Sequence, residues 1–242
     1  MADSLKNLTA AASALHPYYP FHAEIADYAA NEWSVPALLG VFFSACAALF
    51  TATYYVARAM GPSSKNGLQL TKGELLTTMW FVLSGCIHIF EGFYALHFRS
   101  MGSSQHPIGQ MWKEYAFSDS RYLTQDSFVL CMESITAVFW GPGCLLAAYL
   151  TIRRSPSRYG LRTIVSVGQF YGDVLYYMTC AFDHLVEGIS YWRPEAFYFW
   201  FYFVLMNAFW IVIPGYLIYE SCVVTAKAVG AMQAVDRAKK AT

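Results

Sequence analysis

Apolar residues occur along this chain in five long blocks separated by polar stretches, running from about Val35 to Met60, Leu75 to Phe98, Ser127 to Ile152, Leu161 to Phe182 and Ala196 to Val224. Each block meets the roughly 20 residues that a helix rising about 1.5 Å per residue needs to cross about 30 Å of hydrocarbon. The pattern predicts an all-α membrane protein, a bundle of five transmembrane helices. The connections are polar: GPSSKNGLQLTK, RSMGSSQHPIGQMWKEYAFSDSRYLTQD, RRSPSRYG and DHLVEGISYWRPE. No repeat of about 20 to 50 residues and no low-complexity tract divides the chain. The expected organisation is an N-terminal segment 1–34, one membrane domain 35–224 and a basic tail 225–242.

Composition agrees: 57% of residues are hydrophobic, 18% aromatic and 13% charged, against a charged share of about 25% in soluble domains. A charged share that low disfavours a water-soluble fold. Sixteen basic and sixteen acidic residues cancel, so no overall field invites nucleic acid. The six cysteines, Cys46, Cys86, Cys131, Cys144, Cys180 and Cys222, are scattered singly through apolar stretches. With no CxxC and no Cys/His pair at ligand spacing, they read as core residues and no metal site is expected. The first thirty residues are polar, and no cleavable signal peptide is expected.

Basic residues orient the bundle. With the N-terminus on the lumenal side, the cytosolic loops and tail hold Arg58, Lys65, Lys72, Arg153, Arg154, Arg158, Arg162, Lys227, Arg237, Lys239 and Lys240, which is eleven. The opposite side holds five: Lys6, Arg99, Lys113, Arg121 and Arg193. The excess predicts a lumenal N-terminus and a cytosolic C-terminus. The ending Lys239-Lys240-Ala241-Thr242 resembles the dilysine retrieval signal of endoplasmic reticulum membrane proteins, and reads equally as a solvated basic tail. Asn7-Leu8-Thr9 is a glycosylation sequon on the lumenal side of this topology.

Polar groups within the apolar blocks carry the functional information: His88 and Glu91 in the second, Glu133 in the third, Gln169 and Asp173 in the fourth, Asn207 in the fifth. A carboxylate at mid-membrane costs about 2.5 to 3.5 kcal/mol or more, so such groups face a bundle interior or cavity. Glu91 lies seven residues before the end of its block and Glu133 six after the start of its own. Both therefore fall roughly 10 Å below the lumenal edge. His88, Thr136, Asp173 and Tyr176 lie near that level, with Asn207 and Trp210 somewhat deeper. Helical spacing keeps each set on one face: His88 with Glu91, Glu133 with Thr136 and Trp140, Gln169 with Asp173 and Tyr176, Asn207 with Trp210 and Pro214. Converging faces would enclose one polar pocket.

Interhelical hydrogen bonding is the ordinary role for Asp173 and Gln169. Three titratable groups at one depth exceed what a structural pair needs, which makes His88, Glu91 and Glu133 candidates for chemistry. Thr136 and Asn207 read as orienting groups, and Asp173, Tyr176 and Tyr122 as further lining candidates. Asp119, Arg121 and Tyr122 of the long loop read as a solvated cluster rather than a cover for the pocket. The run from Phe197 to Phe203 reads as lipid or packing surface rather than a ligand wall.

Several strings resemble the emopamil-binding protein family, which carries the EXPERA domain. They are Leu15-His16-Pro17-Tyr18-Tyr19-Pro20; Trp112-Lys113-Glu114-Tyr115 with Asp119-Ser120-Arg121-Tyr122; Cys131-Met132-Glu133-Ser134-Ile135-Thr136-Ala137; Ser166 through Tyr176; and Tyr198 through Phe203 followed by Met206-Asn207-Ala208-Phe209-Trp210. The resemblance covers about residues 15 to 216. It implies a five-helix endoplasmic reticulum protein, often dimeric, that takes sterol from the bilayer and moves the ring B double bond from the 8,9 to the 7,8 position. It places the family's functional residues on His88, Glu91, Glu133, Thr136, Asn207 and Trp210. One spacing departs: the animal pattern sets the second-helix pair at i, i+4, whereas His88 and Glu91 stand at i, i+3.

The implied reaction needs an acid to protonate one alkene carbon, a stabilised carbocation and a base at the neighbouring carbon, with no cofactor, metal or nucleotide. A carboxyl desolvated in a bilayer can keep its proton near neutral pH and act as the acid, while an indole face such as that of Trp210 stabilises a cation. Hydrophobic amines, which resemble that cation, are the expected inhibitors. A proton-initiated terpenoid isomerase or cyclase fits the same groups, as does a sterol or amphiphilic-amine binding protein without turnover. A transporter is disfavoured, because no inverted repeat or paired broken helices are visible.

Overall fold

The computed structural model describes residues 16–61 and 70–241, and these are helices and connecting loops without a β-strand. The sequon at Asn7, the basic residues Lys6 and Lys65, and Thr242 lie outside the described residues. Helix α1 spans Val35–Met60 and starts on a proline at its first turn, where a missing N–H is harmless. Helix α2, Lys72–His97, begins on a capping box. Thr71 Oγ1 accepts from the Glu74 backbone at 3.1 Å, and Glu74 Oε2 accepts from the Thr71 backbone at 2.8 Å, which satisfies two otherwise orphaned donors.

The loop after α2 is structured. A tight turn Phe98–Ser103 leads into helix α3, Pro107–Tyr115, and a single turn Ser120–Tyr122 closes it. The stretch 16–34 packs over α3: Tyr18 Oη donates to the Lys113 carbonyl at 2.9 Å, Lys113 Nζ to the Ala29 carbonyl at 2.7 Å, and Gln110 Oε1 accepts from the Trp33 backbone at 2.8 Å. The polar loop of the sequence is thus a folded cap, tied to the preceding stretch by these hydrogen bonds. Burial lowers the proton affinity of Lys113, which spends its ammonium on a backbone oxygen.

Helices α4, Ser127–Ile135, and α5, Gly141–Ile152, are joined without a break by one wide turn, Thr136–Trp140. The cause is Pro142. It removes the hydrogen bond that its N–H would give four residues back, and the ladder widens so that the Gly141 N–H reaches the Thr136 carbonyl. Helix α6 spans Arg158–Phe182 and ends in a second wide turn, Asp183–Glu187. The aromatic run Phe197–Leu205 is also widely wound and continues as helix α7, Met206–Ala241. That helix does not end near Val224 but carries the basic tail with it.

Among the described residues, four helical stretches are long and apolar enough to cross a membrane: Val35–Met60, Lys72–Ser103, Ser127–Ile152 and Phe197–Ala241. Helix α6 is not among them. Its 25 residues suffice in length, but Arg158, Arg162, Ser166, Gln169, Asp173 and four tyrosines, Tyr159, Tyr171, Tyr176 and Tyr177, dilute its apolar character.

Small residues set the packing. Gly85 of α2 lies against Leu145 and the Gly141 carbonyl of α5, and Gly141 lies against the His88 side chain, so the two helices approach closely where His88 sits. Gly168 of α6 takes the Trp140 indole against its backbone, and any side chain there would overlap the ring. At the opposite end, Glu74 pairs with Arg154 at 2.7 Å, and Arg162 Nε donates to Ser221 Oγ at 2.7 Å, which ties α2, α6 and α7 to their connections.

Candidate active site

A cavity of about 520 Å³ opens among α1, α2, α3, α4, α6 and α7, a size typical of small-ligand sites. Its wall contains all nine sequence-predicted site residues: His88, Glu91, Tyr122, Glu133, Thr136, Asp173, Tyr176, Asn207 and Trp210. The helical spacings explain the convergence, since each set lies on the inward stripe of its own helix.

The ionisable groups form two linked pairs. His88 Nδ1 lies 2.8 Å from Glu91 Oε2 across one helical turn, so the i, i+3 spacing makes a direct bond. Tyr122 Oη donates to Glu133 Oε1 at 2.5 Å. Glu91 and Glu133 line the same cavity, one from α2 and the other from α4. All four side chains are buried.

The remaining candidates take distinct places. The Thr136 hydroxyl donates back to the Met132 carbonyl at 2.7 Å, within its own helix. Asn207 Nδ2 donates to the Phe203 carbonyl at 2.7 Å, and its Oδ1 accepts from Tyr115 Oη at 3.2 Å. Trp210 packs on Trp80 with ring centroids 5.4 Å apart while lining the cavity. Asp173 faces the cavity, and its Oδ2 has no hydrogen-bond partner among the described residues. Tyr176 is buried against Tyr122 and Phe203.

Two expectations are corrected here. Asp119 and Arg121 are not a solvated cluster: they are 0% and 2% exposed and form an ion pair at 2.7 Å. The guanidinium lies 5.0 Å from the Tyr176 ring centroid and 5.3 Å from that of Tyr191, and donates to Thr179 at 2.9 Å. Burial alone would favour loss of its proton, and the adjacent Asp119 carboxylate reverses that and holds it. This pair anchors the turn Ser120–Tyr122, which aims Tyr122 at Glu133. The aromatic run is divided as well. Trp200 and Phe197 are exposed, whereas Tyr202 lines the cavity and Phe203 is in the core.

Sequence reasoning missed Glu114 as a lining residue. It sits on α3 inside the cap, with its Oε1 accepting from Tyr202 Oη at 3.4 Å, and burial pushes its carboxyl above the usual range. Its only signal was membership of the string Trp112-Lys113-Glu114-Tyr115.

This arrangement, two carboxyls and an imidazole facing one space with aromatic walls, can give a proton at one point of an apolar ligand and take one at another. Residues 107–221 match the family model EXPERA (EXPanded EBP superfamily). The chain is 37% identical over 229 residues to the 3-beta-hydroxysteroid-Delta(8),Delta(7)-isomerase of Cavia porcellus, covering 94% of this chain and 95% of that protein. It is 38% identical over 208 residues to the Rattus norvegicus protein of the same name, covering 86% and 87%. Protoglabretal synthase of Citrus sinensis is 32% identical over 146 residues, covering 60% of this chain and 67% of that enzyme. Shared descent over nearly the whole length, on a helical frame that gathers its polar residues into one cavity, makes this chain a member of the EXPERA superfamily.

Proposed function

We propose that the chain is a 3β-hydroxysteroid Δ8,Δ7-isomerase of the endoplasmic reticulum, crossing the membrane five times with its N-terminus lumenal. What supports this reading is one arrangement: the His88–Glu91 pair and Glu133 enter a single apolar cavity from two helices. In the proposed step, an acid of this set gives its proton to one carbon of the 8,9 double bond, using the π electrons to form the new C–H bond. The cation that remains is held between carboxylate charge and the Trp210 face. The C–H bond at position 7 then supplies the electron pair of the new double bond, and its proton passes to the base. Substrate and product are isomers, and a proton transfer between the pairs resets the site. His88, Glu91 and Glu133 carry the protons, and Thr136, Asn207, Asp173, Tyr176 and Tyr122 shape and orient the cavity. Expression in cells lacking their own sterol isomerase, followed by sterol profiling, tests the assignment: restored Δ7 sterols support it, and persistent Δ8 sterols sink it.

The likeness to protoglabretal synthase favours a second reading, proton-initiated rearrangement of a terpenoid. Product analysis with both substrate classes separates the two.

Topology has its own test. A tag at the C-terminus should be reached by antibody after selective permeabilisation of the plasma membrane, and one at the N-terminus should not. Equal protection of both ends removes the five-span arrangement.

Inhibition follows from the intermediate. A hydrophobic tertiary amine sized like the sterol ring system should compete with sterol at least about tenfold more tightly than its neutral carbon isostere, because it reproduces the charge of the cation. A buried ammonium needs both an anion and an aromatic face to offset its lost hydration. Glu133→Gln should weaken the amine more than the isostere, and Trp210→Leu should do so by a smaller factor. Competition binding in nanodiscs in which amine and isostere bind alike would remove the cation site.

A further inference from the structure

Gln169 of α6 lines the cavity beside His88. Its Nε2 lies 2.9 Å from His88 Nε2 and 3.4 Å from Cys144 Sγ, while its Oε1 is buried with no hydrogen-bond partner among the described residues. An amide nitrogen donates and does not accept. With the amide in this orientation His88 Nε2 is the acceptor and carries no proton, which leaves the ring proton on Nδ1, 2.8 Å from Glu91 Oε2. The contact at Nδ1 fits the same tautomer when Glu91 is ionised: its carboxylate takes the Nδ1 proton while an amide N–H fills the Nε2 lone pair. Half a turn of the amide exchanges its oxygen and nitrogen at nearly the same positions. The oxygen would then face Nε2 and accept a second ring proton, with the Cys144 thiol as another donor to it.

We propose that Gln169 is a positioning residue that sets where His88 holds its protons. Its N–H keeps the neutral ring in the Nδ1–H form, and its carbonyl, brought round by rotation of the amide, receives the ring when a proton arrives on Nε2. The inference rests on the reading of His88 as a proton-handling group in the proposed isomerase. In the step concerned, the Nε2 lone pair takes one proton and the ring becomes an imidazolium beside Glu91; the reverse step returns that proton and restores the lone pair. The ring contacts Glu91 from its own helix and Gln169 from α6, which in turn reaches Cys144 of α5, and the cavity it lines also holds Glu133 from α4 and Asp173, one turn further along α6. No lysine or arginine lines the cavity among the described residues.

The test compares Gln169→Glu and Gln169→Met with wild type in sterol isomerisation across the pH range around neutrality. Glutamate keeps the shape and replaces the donor by an acceptor, so it favours a proton on Nε2. The acid limb of the kcat profile should move to higher pH by about one unit. Methionine offers neither donor nor strong acceptor, and kcat should fall about tenfold with KM changed less than about twofold. Wild-type protein labelled with ¹⁵N-histidine, with His88→Ala to assign the resonances, should show an unprotonated Nε2 at rest. A protonated Nε2, or variants that only lower thermal stability while the pH profile keeps its wild-type position, would overturn the inference and leave Gln169 as an interhelical bond. Full turnover by His88→Ala would instead remove the proposed role of the ring itself.

Discussion

Glu133→Gln should lower sterol isomerase turnover by about 100-fold or more, the scale of a lost general acid or base. The substitution keeps the shape of the side chain and an oxygen able to accept from Tyr122 Oη, which lies 2.5 Å from the native carboxyl. What it removes is a titratable proton in the cavity that Glu91 also lines. Binding of sterol should change little, so the loss falls on kcat. Tyr122→Phe is the informative comparison. It takes away the hydrogen bond but leaves the carboxyl, and it should cost about tenfold, the smaller loss expected when orientation rather than a proton is lost. Initial rates in nanodiscs, read by sterol product analysis, decide the matter. A Glu133→Gln enzyme within a few-fold of wild type makes the carboxyl structural.

Arg121→Met should destabilise the fold by about 3 to 5 kcal/mol, because it leaves the Asp119 carboxylate buried without its partner. The native pair is made of several contacts: Arg121 Nε and its terminal nitrogen donate to Asp119 at 3.0 and 2.7 Å, and Asp119 Oδ1 accepts from the Arg121 backbone at 3.0 Å. Tyr176 and Tyr191 flank the guanidinium. Adding Asp119→Asn to Arg121→Met should recover part of the loss, since the stranded charge is then gone. Thermal unfolding in detergent measures both. A loss under about 1 kcal/mol would place this pair with ordinary surface ion pairs.

The sequence makes the bundle legible because each spanning segment must be apolar over a length set by the bilayer, and any polar residue inside it stands out. His88, Glu91, Glu133 and Asn207 were visible for that reason, and helical spacing was enough to bring them together. Helix α6 blurred the rule, since Tyr176 and Gln169 face inward and, with its other polar and charged residues, reduce the very signal that marks a span. The loop region was misread for a different reason. Asp119 and Arg121 are polar and stand between apolar blocks, and only the tertiary packing of Tyr176 and Tyr191 around them shows that they are interior. The wide turn at Thr136–Trp140 had a local cue in Pro142, but a proline alone does not say whether a helix kinks, breaks or widens. Gln169 was legible as a polar residue, and its bearing on His88 depends on a contact between residues 81 positions apart in the chain.

The unbroken course of α7 has a consequence for how the end of the chain is presented. Seventeen residues from Thr225 to Ala241 continue the helix past the last apolar stretch, and at about 1.5 Å per residue they form a stalk of roughly 25 Å. Counterions cut a surface potential to about a third over each 8 Å or so at physiological ionic strength, leaving little of it after three such lengths. Lys239 and Lys240 are therefore carried beyond the electrical reach of the lipid headgroups when the apolar part of α7 is embedded. The separation of Lys239 and Lys240 from the headgroups is then set by the length of this stalk rather than by the composition of the nearby leaflet.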